Sequence, residues 1–323
     1  MRVALSRRWP ASVEAQFAKQ FELTRNRTDS PLSSSDWQHR FQVCEVVCPT
    51  VTDRLTDERL RQWTSGGART RLLANYGVGY NHIDLDACQA LRIAVTNTPD
   101  VLTGATAELT VAAMLALVRR LGEGERLVRA GRWQGWAPTE LLGTGLAGKT
   151  LGILGFGRIG AAVAQRAALG LGMHIRYYSP RPVTRDRFPG FTAEPVATID
   201  ELVASVDVLS LHCPSTPETR GLLNAERLAR STPGLFVINT ARGDLIDEPA
   251  LTAALERRQI AGAALDVHAH EPAIHAALLE RNDVVLLPHL GSATVAARRA
   301  MGERVLVNVQ AFADGAELPD RVV

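Results

Sequence analysis

Lysine is nearly missing from this chain: of 36 basic residues only Lys19 and Lys149 are not arginine, a bias to which no function is attached. Charge of one sign is not in surplus either. The net value is +2 and the arginines are scattered rather than blocked, so no nucleic-acid surface is expected. Cysteine is scarce. Cys44, Cys48, Cys88 and Cys213 show no paired C-x-x-C spacing, which excludes a zinc ribbon or a disulfide framework. No apolar run approaches the roughly eighteen residues of a membrane span. The opening MRVALSRRWP reads as a first strand rather than a signal peptide. Internal repeats and low-complexity segments are also absent. The expectation is a cytoplasmic protein with reduced thiols.

What is present is an ordinary globular composition. In 323 residues, 46% are hydrophobic and 22% charged, enough for roughly two domains. Short apolar runs (VALS, QVCEVVCP, RLLANYGVGY) alternate with helical patterns, one of them between Thr56 and Ser65, which implies βαβ units and a parallel sheet. A long helix rich in Ala and Leu is expected from Ala105 to Leu121, begun near Thr103. The stretch Gly131 to Gly148, with Pro138 and no period, reads as loop. From Lys149 the rhythm resumes, with strands at TLGILG, HIRYYS, VDVLSLH, LFVINT, GAALDV and VVLLPH. The last helical pattern, Ala293 to Asp314, is expected to cross back onto the first domain. The resulting division is 1–98 with 290–323 as one domain, and 99–289 as an inserted dinucleotide-binding domain.

Two constellations carry chemistry. Gly155-Phe156-Gly157-Arg158-Ile159-Gly160 follows a strand pattern and opens a helical one, the context a dinucleotide fingerprint requires. Gly155 permits the tight turn, Gly157 lets backbone approach a pyrophosphate, Gly160 allows close helix–strand contact, and the helix N-terminus offers N–H groups to an anion. An NAD-preferring site usually carries an acid about 20 residues after the first glycine. Here the strand ends Tyr177-Tyr178-Ser179-Pro180-Arg181 with no acid. Ser179 and Arg181 suit a 2′-phosphate, which favours NADP with NAD as the alternative; the lesser reading of Arg181 is a solvated loop residue. The second constellation is Arg242 in NTARGDLID, Glu271 in HAHEP and His289 in LLPHLGSAT, each just after an expected strand. Reducing a 2-keto acid needs a cation, a carboxylate that holds an imidazole protonated, and that imidazole as general acid.

Over nearly its whole length, through NYGVGYNHID (75–84), LGILGFGRIG (151–160), LHCPSTPET (210–219), NTARGDLID (239–247), ALDVHAHEP (264–272) and LLPHLGSAT (286–294), the chain resembles the D-isomer-specific 2-hydroxyacid dehydrogenases. Within that family it is similar to glyoxylate/hydroxypyruvate reductases. The resemblance implies two Rossmann/flavodoxin-like doubly wound parallel-sheet α/β domains with an active-site cleft between them. It implies Arg242, Glu271 and His289 as the catalytic trio, and Val78, Gly79 and Arg242 as substrate-binding residues. It further implies cofactor contacts at Thr106, Gly155, Gly157, Arg158, Ile159, Gly160, Ser179, Arg181, Cys213, Pro214, Thr219, Thr240, Asp266 and Gly291. Formate dehydrogenases of the wider group pair their histidine with Gln, so Glu271 argues against that branch. A homodimer is implied, with Trp136 near the interface. The clustered His268, His270 and His275 lack the neighbours of a metal set, and no metal is expected. His82 and His212 read as structural. Another D-2-hydroxyacid dehydrogenase, a phosphite dehydrogenase, and a dinucleotide-sensing interaction protein all remain compatible with these motifs.

Overall fold

A computed structural model describes residues 1–184, 188 and 190–323. The chain forms two compact units, Met1–Leu102 with Ala293–Val323 and Thr103–Ser292. In the first, strands β1 (Arg2–Leu5), β2 (Glu22–Thr24), β3 (Val46–Cys48), β4 (Leu72–Ala74) and β5 (Ala94–Thr96) form a parallel sheet in the order β2-β1-β3-β4-β5. That is the flavodoxin-like doubly wound order. Helices α1 (Ala11–Gln20), α2 (Ser34–Val43), α3 (Asp57–Thr64) and α4 (Leu85–Ala90) connect the strands. Their start signals are local: Ser33 makes a capping box with Asp36, while Thr56 and Asp84 each accept an N–H of the first turn.

The second unit begins with α5 (Thr103–Val118) and α6 (Leu121–Arg129), followed by a seven-stranded parallel sheet. Its strands are β6 (Thr150–Leu154), β7 (His174–Tyr178), β8 (Glu194–Pro195), β9 (Val208–Leu211), β10 (Leu235–Asn239), β11 (Ile260–Leu265) and β12 (Val284–Leu286). Their order, β12-β11-β10-β9-β6-β7-β8, is the Rossmann arrangement extended by one strand. The helices are α7 (Arg158–Leu171), α8 (Ile199–Val203), α9 (Ala225–Ala229), α10 (Glu248–Glu256) and α11 (Ala276–Leu279). The central strands are apolar almost throughout because both faces are covered. Successive residues alternate between two cores: Leu154, Val237 and Ala263 pack on one face, and Ile153, Ile238 and Ala264 on the other. Register aligns Leu154 with Leu211, Leu211 with Asn239, Asn239 with Leu265 and Leu265 with Leu286. The glycine turn and the segments carrying Ser179, Cys213, Arg242, Asp266 and His289 therefore all leave the sheet along one carboxyl edge.

The last helix, α12 (Val295–Ala313), belongs to the first unit and packs on α1 and β4. Gly302 makes that approach possible, since a Cβ there would meet Val13 Cγ1 at 2.5 Å. The helix is capped by Thr294.

Three element boundaries differ from the sequence reading. The helix expected over Ala105–Leu121 stops at Val118; Arg120 takes a left-handed conformation (φ 54°) and a separate helix with no buried residue follows. The run QVCEVVCP is only half strand: Gln42 and Val43 finish α2, Cys44 caps it, and Val46–Cys48 pairs in the sheet. The edge strand Glu194–Pro195 is too short and polar to leave a pattern. Among the described residues no helix is long and apolar enough to cross a membrane.

Candidate functional site

At the end of β6 the chain turns sharply at Gly155, whose φ of 96° and close neighbours both demand glycine. A Cβ there would lie 2.6 Å from Cys213 N and 2.7 Å from His212 C. Its N–H donates to Tyr178 O at 3.0 Å, tying the turn to the end of β7. Gly160 is equally constrained, because a Cβ would run into Gly155 O and Ile153. Gly157 is different. It is the N-cap of α7, no side chain caps that helix, and a Cβ on it would meet nothing within 4 Å. The first amides of α7, from Arg158, Ile159 and Gly160, thus begin a helix beside open space, which is what a pyrophosphate requires. The residues present fit a dinucleotide.

Other expected cofactor residues surround the same edge of this sheet. Ser179 is half-buried after β7 and accepts the backbone N–H of the exposed Arg181 at 3.4 Å. Cys213 and Pro214 follow β9, and Thr219 braces their loop by donating to Pro214 O at 2.7 Å and accepting from Thr216 N at 2.7 Å. Burial pushes the Cys213 thiol up to about 11. It also pushes the His212 imidazole, hydrogen-bonded to Ser210 Oγ at 2.8 Å, down to about 3. Thr240 shares a 2.8 Å hydrogen bond with Thr110, whose hydroxyl bonds Thr106 O. Thr106 in turn lies against Gly291, where a Cβ would sit 3.5 Å from its side chain. Asp266 accepts Leu290 N–H at 2.6 Å on one oxygen and Gly291 N–H at 2.8 Å on the other. Burial nevertheless raises its proton affinity.

The three residues of the second constellation converge. His289 Nδ1 and Glu271 Oε2 are 2.9 Å apart, with both side chains half-buried. Burial alone would push the Glu271 carboxyl up, but the hydrogen bond and charge of His289, with the N–H and charge of His268, hold it below the usual carboxylate range. Arg242 follows β10 in a loop locked by Asn239, which donates to Arg242 O at 2.8 Å and accepts Ala241 N–H at 3.0 Å. Burial lowers its guanidinium from the usual value, while the carboxylates of Glu271 and Asp244 act in the opposite sense. His289 adopts φ 56°, with its N–H bonded to Asp266 O, so Asp266 fixes the backbone of the turn that carries the imidazole. The arrangement offers a cation, an ionised carboxylate and an imidazole oriented through one nitrogen.

Val78 and Gly79 belong to the first unit, in the turn after β4. Asn75 donates to Gly77 O and Gly79 O, and Asn97 donates to Val78 O at 2.8 Å. With the carbonyls held, the amides of Val78 and Gly79 have no acceptor among the described residues. The sequence reading missed Asn75, Asn97, Asn239 and His268. For the three asparagines the signal available was a short amide side chain at a strand end, which bonds nearby backbone; for His268 no local signal exists. Among the described residues no group of three or more His, Cys, Asp or Glu is placed to hold a metal ion.

Residues 111–291 match the family described as D-isomer specific 2-hydroxyacid dehydrogenase, NAD binding domain. The chain belongs to that family. As a member it carries a nicotinamide-dinucleotide domain, the second unit of the fold. This D-2-hydroxyacid dehydrogenase is 44% identical to the glyoxylate reductase of Thermococcus litoralis over 88% of its own length and 85% of that protein. It is 40% identical to the glycerate dehydrogenase of Hyphomicrobium methylovorum, covering 96% and 95% of the two chains. Among solved structures it is similar to an NADPH-dependent glyoxylate/hydroxypyruvate reductase of Sinorhizobium meliloti bound to NADP and malonate. That likeness has a TM-score of 0.87 at 32% identity, with 100% and 96% coverage.

Proposed function

We propose that this dehydrogenase reduces a small 2-keto acid, glyoxylate or hydroxypyruvate, to the D-2-hydroxy acid, and that it prefers NADPH to NADH. The observation carrying this reading is the His289–Glu271 pair at 2.9 Å, beside an Arg242 that senses the same carboxylate, on the carboxyl edge of a sheet whose glycine turn fits a dinucleotide. Gly155, Gly157, Arg158, Ile159 and Gly160 would hold the pyrophosphate, Cys213 and Pro214, on the loop braced by Thr219, the adenosine side, and Thr106, Asp266 and Gly291, with Thr240 linked to Thr106 through Thr110, the nicotinamide end. The dinucleotide supplies the hydride when bound. With Nδ1 held by Glu271, whose carboxyl is kept ionised, the proton would pass from His289 Nε2 to the developing alkoxide. Arg242 offsets the negative charge of the substrate carboxylate and carbonyl oxygen. In the first unit, the open amides of Val78 and Gly79 have the chemistry to receive a carboxylate.

The NADPH preference rests on the strand end after β7, which offers Ser179 and Arg181 and no acid, and on the similar reductase solved with NADP. Exposed apolar side chains on and after α6, Trp136 (85% exposed), Trp133 and Leu142, support a homodimer. Four free cysteines support a reducing, cytoplasmic setting.

The test is consumption of NADPH and NADH, followed by nicotinamide absorbance, against a panel of small 2-keto acids. Glyoxylate and hydroxypyruvate with NADPH are expected to give the highest kcat/KM. Turnover confined to other keto acids, or to phosphite with the oxidised cofactor, would replace the substrate. Silence across the panel despite tight dinucleotide binding would overturn the enzymatic reading in favour of a sensor.

A further inference from the structure

His268 leaves β11 three residues before Glu271, yet it touches all three loops that carry the trio. It is only 7% exposed. Its backbone N–H donates to Glu271 Oε1 at 3.1 Å, the oxygen that does not face His289. Its ring Nε2 lies 3.0 Å from Leu287 O, two residues ahead of His289. A carbonyl only accepts, so Nε2 carries the proton. Leu287 N–H donates to Leu265 O, so the ring closes a second link between the exits of β11 and β12. On its third side the His268 backbone abuts Gly243, immediately after Arg242, where any Cβ would overlap the His268 carbonyl. The remaining ring nitrogen, Nδ1, is buried without a partner among the described residues. A histidine chosen only to fill a core would not be worth an unpaired buried nitrogen.

We infer that His268 is a positioning residue for the reduction: its amide and ring fix Glu271, and the chain entering His289, in the register that brings Glu271 Oε2 to His289 Nδ1. It acts through Glu271 and His289, and so rests on the roles proposed for them above. Losing the ring bond leaves Leu287 O unpaired and the segment Leu287–His289 held by its backbone N–H bonds to Leu265 O and Asp266 O alone, which loosens its placement against Glu271; displacements on the order of 1 Å at such a pair cost up to about 100-fold in rate.

The experiment compares His268→Gln with His268→Asn in the full chain. A Gln amide nitrogen reaches the place of Nε2 and restores the bond to Leu287 O; an Asn nitrogen reaches only the place of Nδ1 and does not. The expected result is a kcat within about threefold of wild type for Gln and a loss on the order of 10–100-fold for Asn, with KM for NADPH little changed in either and the thermal midpoint lowered by a few degrees in Asn. The low-field NMR resonance of the His289 Nδ1 proton is expected to persist in the Gln variant and to broaden or vanish in the Asn variant. An Asn variant with wild-type kcat and an intact resonance would overturn the inference, as would equal losses in both variants. The resonance reports geometry alone. A lost resonance with undiminished kcat would therefore count against the catalytic assignment of Glu271 and His289, and an unchanged resonance against His268.

Discussion

At the residue scale, the decisive property of His289 is that one ring nitrogen is already committed. With Nδ1 on Glu271, only Nε2 is left to act on substrate, and the ring does not need to reorient during turnover. His289→Ala is expected to lower kcat by about 10²–10⁴-fold while leaving the NADPH dissociation constant within a few-fold, as read by single-turnover kinetics and fluorescence titration. His212 makes a different prediction. Burial holds it near 3 in the folded chain, whereas an unfolded histidine titrates at about 6.5. Between those values the unfolded state binds more protons, so stability falls as pH drops from about 6.5 toward 3. A His212→Asn variant, which does not titrate, is expected to lose thermal stability less steeply over that window. Parallel Tm-versus-pH curves would refute it. Neither His289 nor His212 declares its role by type: the same residue is a candidate acid in one place and a neutral brace in the other. The difference is a carboxylate partner at a half-buried site against burial beside a hydroxyl.

At the scale of elements, the β6–turn–α7 unit divides its glycines by task. Gly155→Ala places a Cβ against Cys213 N in a left-handed conformation and is expected to cost about 1–3 kcal/mol of stability in the absence of cofactor, measured by chemical denaturation. Gly157→Ala meets open space, so the fold should keep its stability while dinucleotide affinity drops at least about tenfold. Equal destabilisation by both would show that Gly157 serves the fold rather than the ligand. The sequence shows this unit well because its rule is local: strand period, glycine spacing and helix start lie within a few consecutive residues. It shows the break at Arg119–Arg120 poorly, since Ala- and Leu-rich residues continue the helical pattern up to it. The break is the left-handed Arg120, and burial changes across it: Thr106, Ala107, Thr110, Ala113, Met114, Leu117 and Val118 are buried, and none of the residues from Leu121 to Arg129 is.

At the scale of the whole chain, a discontinuous first unit means that residues from the two ends of the sequence share one core. Ala4 and Leu73 pack with Val322 and Val323, and Val95 exchanges backbone hydrogen bonds with both of those terminal residues. Arg304 and Asn308 on α12 both bind the Asp320 carboxylate, fastening the tail to the helix. The exposed tryptophans lead to a prediction for assembly. The wild-type chain is expected to run as a dimer in light scattering, and Trp136→Arg, a change at a residue 85% exposed and hence tolerated by the fold, to shift it toward monomer. A monomeric wild type would remove the homodimer from the proposed function.

By itself the sequence determined the parallel α/β class and the glycine turn, because apolar strand runs, glycine spacing and helix starts are imposed by neighbouring residues; it offered Arg242, Glu271 and His289 as candidates at strand ends. Tertiary structure alone decided that Glu271 and His289, eighteen positions apart, meet at 2.9 Å, and that Asn239, Asp266 and His268 hold their loops. Those contacts depend on the register of β10, β11 and β12. Strands buried on both faces carry no alternation from which a register can be read, so packing of the two faces decides it.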